Sequence, residues 1–179
     1  PVRRGLPRGK SAWRDFPRNG KLLPLMLVHL TVDSYVGVLP VFYPLLIGRF
    51  HLSLATVGLV SLAYGGTAAI SQPLFGVIAD RYGTRMTGVA LGWTALTFSL
   101  AGYVPTFPLL LVLACASGLG SGAFHPLGAL AVLALLPERR RRPGTSLYGT
   151  AGTAGFAFGP LVAVLLFVVI GIPGPSPLA

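Results

Sequence analysis

Acidic residues are scarce in this chain. Its 179 residues carry only 4 Asp+Glu against 14 Lys+Arg, and charged residues make up 10% of the total. A water-soluble domain carries about 25% charged residues, so too little polar surface is present to coat a soluble globule. No paired catalytic carboxylates, nucleophile–base set or phosphate-binding loop is legible, and an enzyme is not expected. Cysteine is equally thin. A single Cys115 lies inside an apolar block, which excludes an intrachain disulfide and leaves it as a small packing residue. No Cys/His cluster has metal-ligand spacing, so neither metal nor cofactor is expected.

What the chain has is apolar sequence in long blocks. Hydrophobic residues make up 53%, and the mean hydropathy is +0.74. Blocks of about 18 or more apolar residues read as membrane-spanning helices. The expected fold is all-α, a polytopic helical bundle with spans at about 22–47, 54–79, 86–104, 107–136 and 145–170. The first block is longer than the roughly 7–15-residue core of a signal peptide, so it reads as a retained span. Residues 1–21 form a basic tail with Trp13 and Phe16 as its aromatics, and 171–179 form a Pro/Gly-rich end.

The formal net charge of +10 would suggest a nucleic-acid partner in a soluble protein. Here its placement points to topology instead. Arg3, Arg4, Arg8, Lys10, Arg14, Arg18 and Lys21 precede the first span, Arg81 and Arg85 follow the second, and Arg139–Arg142 follow the fourth. The alternate connections hold only Arg49 and His51, then no charge around Pro105, then none in the C-terminal stretch. Basic loops stay in the cytoplasm, which places the N-terminus there in a multi-pass cell-membrane protein, with the lipid bilayer as its partner and no nucleic acid.

Four groups of residues stand out. Asp33 lies about half-way along the first span, with His29 four residues before it on the same helix face. An acid at a span centre costs about 2.5–3.5 kcal/mol on insertion scales and must face a protein or water-lined interior. The two are candidates for proton coupling or substrate binding, the alternative being a buried structural pair. Pro40 and Pro44 follow on the same helix and can kink it. Gly76, Asp80, Arg81, Gly83 and Arg85 lie at the second-to-third connection, where Gly83 suits a tight turn. His125 ends a small-residue seam, Gly118-Leu-Gly120-Ser-Gly122-Ala-Phe124-His125-Pro126, and has a packing or a transport role. Gly149, Gly152, Gly155 and Gly159-Pro160 form a stripe on the fifth span, suited to close helix approach.

The connection Gly76-x-x-x-Asp80-Arg81-x-Gly83-x-Arg85 resembles the loop signature of the major facilitator superfamily, where it acts as an inner gate between two halves. Gly155-x-x-x-Gly159-Pro160 resembles the fifth-span signature of that family's proton-coupled drug antiporters, although Ala163 and Val164 replace its further glycines. His29-Leu-Thr-Val-Asp33, Phe42-Tyr43-Pro44-Leu45-Leu46, Gln72-Pro73, the seam ending in Phe124-His125-Pro126, and Phe158-Gly159-Pro160-Leu161 together resemble the fosmidomycin-resistance branch, over most of residues 25–170. That resemblance implies an N-terminal six-helix domain of a twelve-span, proton-driven exporter of small organic molecules, working by alternating access. It also implies that a C-terminal half or a partner chain completes the transporter. The branch commonly has Glu after Phe-His-Pro and Arg a few residues later; here Leu127, Leu130 and Ala131 stand in that region, as if an ion pair had been lost whole. The alternative from a different class is a complete small membrane protein that acts as a binding or assembly partner without transport of its own.

Overall fold

A computed structural model describes Gly20 and residues 22–170; the rest of the basic tail and the Pro/Gly-rich end lie outside the described residues. The described chain is all-helical, in the order α1 (Leu22–Phe50), α2 (Leu54–Tyr82), α3 (Thr87–Ala101), α4 (Phe107–Leu135) and α5 (Glu138–Ile170). Four of these, all but α3, are long and apolar enough to cross a membrane. Side chains such as Leu62, Ile70, Leu165 and Val168 point outward, as lipid-facing residues do.

Two elements differ from the sequence expectation. The third is 15 residues, about 22 Å at 1.5 Å per residue, against about 30 Å of hydrocarbon. It ends early because Gly102 and Tyr103 turn the chain back, with their N–H groups bonded to Ser99 and Leu100 at 3.3 and 3.0 Å. Residues 102–106 form turns and bends that lead into α4. The fifth starts at Glu138, not near Thr145, so Arg139–Arg142 lie in a helix and not in a loop. Arginine is a good helix former, and Glu138 at the first turn suits the positive end of the helix dipole.

Packing is pairwise. α1 lies mainly against α5, while α2 and α3 both lie against α4. Small residues set these distances. A Cβ built on Gly155 would stand 2.9 Å from Leu30 Cα, and one on Gly118 would stand 3.1 Å from the Tyr64 carbonyl carbon. Side chains there would drive the helices apart. α3 is tied to α4 by polar bonds as well: Ser117 Oγ donates to Thr97 Oγ1 at 2.9 Å, and Trp93 Nε1 donates to the Ala116 carbonyl at 2.8 Å. One buried cluster gathers Leu22, Ala79, Phe124, Val132, Leu136 and Tyr148, and a second gathers Leu39, Val60, Tyr64, Val104 and Leu110. Asp33 falls along α1 between Leu22 of the first and Leu39 of the second.

Candidate functional site

The sequence marks His29, Asp33 and His125 separately, and the fold brings them together. α1 supplies His29 and Asp33 one helical turn apart, with Nε2 of His29 at 3.3 Å from one carboxylate oxygen. α4 crosses α1 and supplies His125, whose Nε2 lies 3.1 Å from the other oxygen. One carboxylate is thus held between two imidazoles from two helices.

Each ring is fixed from behind. His29 Nδ1 lies 2.9 Å from the Tyr148 carbonyl on α5, and His125 Nδ1 lies 2.7 Å from the Ser121 carbonyl one turn earlier on α4. A carbonyl oxygen only accepts, so Nδ1 is the protonated nitrogen in both rings. In neutral rings both Nε2 lone pairs then face the carboxylate, and three acceptors meet. Such a meeting is favourable only with positive charge in the gaps.

His29 is buried, stacked on the Tyr148 ring at 4.1 Å between centroids and 5.7 Å from Phe124. Asp33 and His125 are more open. They line a cleft of about 360 Å³ with Tyr64, Gln72, Ser121 and Thr153. Charged groups therefore meet an accessible cavity and not lipid, as the insertion cost demands. A larger groove of about 750 Å³ between α2, α3 and α4 is lined almost wholly by apolar side chains and lies away from this chemistry.

The glycine stripe on α5 serves this site. A Cβ on Gly152 would stand 2.6 Å from His29 Nε2. Gly159 comes 3.0 Å from Ser34 Cα in the same sense, and Gly155 adjoins Leu30. Gly149 has nothing within 4 Å and belongs to the stripe only by spacing. Pro160 continues α5 as an in-helix proline.

The gate-type residues lie together at the opposite end of α2. Asp80 and Arg81 occupy its last turn, exposed, and Gly83 caps it at φ 72° with its N–H on the Ala79 carbonyl at 2.8 Å. The positive φ accounts for glycine there. Asp80 forms no ion pair with Arg81 or Arg85 among the described residues. Gly76 has open space around it.

Comparison with known proteins decides the family. Residues 25–175 match the family model described as Major Facilitator Superfamily. The chain belongs to the major facilitator superfamily. Among its relatives, the uncharacterized MFS-type transporter YfnC of Bacillus subtilis is 28% identical over 152 residues, covering 84% of this chain and 37% of that protein. The fosmidomycin resistance protein of Escherichia coli is 27% identical over 160 residues, 85% of this chain and 37% of that protein. A probable 4-methylmuconolactone transporter of Cupriavidus pinatubonensis is 32% identical over 114 residues, 63% and 25% of the two chains. This chain therefore spans little more than a third of the length of the first two. No solved structure matches. Membership gives a membrane protein of a small-molecule transporter family, in agreement with the helical bundle.

Sequence reasoning missed Tyr148, Ser121, Tyr64, Gln72 and Thr153. The first two hold the histidines through backbone carbonyls, which leave no trace in residue type, and Tyr148 adds its ring beneath His29. The other three become site residues only because α2 and α5 turn them toward Asp33. Leu127 and Ala131, in the region where the fosmidomycin-resistance branch commonly has charges, are buried among apolar neighbours.

Proposed function

We propose that this chain is part of a secondary transporter that exports small organic molecules by alternating access, driven by protons, with its N-terminus in the cytoplasm. The observation that carries the reading is Asp33 at mid-span, held between His29 and His125 at the edge of an open cleft. An ionisable group inside a span marks an ion or substrate pathway by default. A cation taken into the gap would satisfy all three acceptors and hold them together, and its departure would leave them facing one another unpaired. α1 and α4 would thereby sense occupancy of the cleft directly. The relative named as a fosmidomycin resistance protein supports export of a small organic molecule. The basic residues before α1, after α2 and at the start of α5 support the orientation. Asp80, Arg81 and Arg85 would act at the inner gate, closing against the part of the transporter that follows.

The test uses the full-length gene product in everted membrane vesicles, with fosmidomycin as the first cargo tried. Wild type is expected to accumulate it when a proton gradient is imposed, and Asp33→Asn to lose at least about 10-fold of that rate, a change of about 1.4 kcal/mol. Undiminished gradient-driven uptake in Asp33→Asn would sink the assignment of Asp33.

A further inference from the structure

We infer that His29, Asp33 and His125 form a binding site for a divalent transition-metal ion of the zinc type, a site that bridges α1 and α4 at mid-span. The sequence hides it, because His125 is far along the chain from the other two and no ligand spacing is visible. The fold places one donor atom from each residue within 4.8 Å of the others.

Three features make this more than proximity. The first is distance. Ligands about 2.1 Å from a tetrahedral zinc stand about 3.4 Å from one another. The two histidine–carboxylate separations, 3.3 and 3.1 Å, are already close to that. The second is orientation. Histidines that bind a metal through one nitrogen almost always donate the other N–H to a carbonyl or carboxylate, which fixes tautomer and ring direction. His29 and His125 both do so, on the Tyr148 and Ser121 carbonyls, and both present Nε2 to the Asp33 carboxylate, one to each oxygen. The third is access. Asp33 and His125 border the 360 Å³ cleft, so an ion can enter and keep an open position for water beyond its three protein ligands.

The donor set chooses the class of ion. Two imidazoles and one carboxylate suit zinc, cobalt, nickel or copper, whereas magnesium and calcium favour all-oxygen sites. A bound ion would supply the positive charge that the three facing acceptors lack. It would also pin α1 to α4 beside the cleft, so an occupied site should oppose the movement of either helix. Binding is independent of what drives transport, and it is measured with no cargo present.

The experiment titrates full-length protein, purified in detergent without a histidine tag, with Zn²⁺ by calorimetry and with Co²⁺ by visible absorption. One Zn²⁺ per chain is expected, with a Co²⁺ spectrum of four-coordinate type and no comparable binding of Mg²⁺. His29→Asn and His125→Asn should each weaken Zn²⁺ by about 100-fold or more and abolish the Co²⁺ band. His51→Asn, in the α1–α2 turn, should change neither. Thermal unfolding without metal separates a lost ligand from a misfolded variant. Absence of Zn²⁺ binding in wild type overturns the inference. So does wild-type affinity in both His29→Asn and His125→Asn, or loss of binding with His51→Asn alone. Failure of Asp33→Asn to affect gradient-driven transport leaves these binding results standing, and the two proposals therefore fail separately.

Discussion

Gly149 and Gly152 stand one helical turn apart on α5 and have opposite surroundings. Gly152 presses on the His29 ring, while Gly149 meets nothing within 4 Å. Gly152→Ala is expected to displace that ring and destabilise the fold by about 1–3 kcal/mol, the usual range for overpacking. Gly149→Ala should be neutral or stabilising by up to about 1 kcal/mol, since alanine is the better helix former. Thermal unfolding of the two variants in detergent, side by side, checks the contrast; equal losses would refute it. Tyr64 adds a second residue-scale case. Its hydroxyl is buried and makes no well-aligned hydrogen bond, with the Ser121 side chain its nearest candidate partner. An unpaired buried polar group costs about 1–3 kcal/mol, so Tyr64→Phe should leave stability unchanged or raise it. A marked fall in melting temperature would show that the hydroxyl is held by Ser121 after all.

Among the elements, α1 and α5 behave differently from simple rods between loops. Arg49, in the last turn of α1, donates to the Gly102 and Val104 carbonyls at 2.9 and 2.7 Å. It ties the end of α1 to the turn that follows α3. Arg49→Gln is expected to cost about 1 kcal/mol, less than a buried charged pair because this end is partly exposed. Chemical unfolding monitored by helix content reads that loss. At its other end, α5 begins with four arginines in helical conformation, which extends the helix beyond its apolar stretch. If these hold the α4–α5 connection in the cytoplasm, a single cysteine placed at Thr145 in a Cys115→Ser background should react with impermeant thiol reagent only from the cytoplasmic side. Labelling from outside would reverse the proposed topology.

For the whole molecule, the described helices enclose Asp33 between His29 and His125. The cleft beside it does remain open, lined on one side by Tyr64, Gln72, Ser121 and Thr153. A two-sided cavity needs a second wall. On the proposed reading, the chain expressed as its 179 residues is expected to insert into the membrane and fail to move fosmidomycin, and the full-length gene product is expected to move it. Transport by the 179 residues, assayed in the same vesicles, would contradict this and point to assembly between copies.

The helical membrane bundle was legible in the sequence because lipid imposes it. Long apolar blocks must satisfy their own backbone in helices, and that constraint acts locally, residue by residue. The same locality exposed Asp33, since one acid in an apolar span has no soluble explanation, and exposed Gly83, whose positive φ follows from a tight turn. Arg139–Arg142 misled for the same reason: charge density reads as a loop, although arginine continues a helix well. Only the tertiary structure decided that His125 faces Asp33, that the Tyr148 and Ser121 carbonyls set both ring tautomers, and that Gly152 but not Gly149 is held in contact. Those facts depend on how α1, α4 and α5 cross. Crossing is fixed by small-residue contacts between distant segments, which hydropathy and spacing along one chain do not encode.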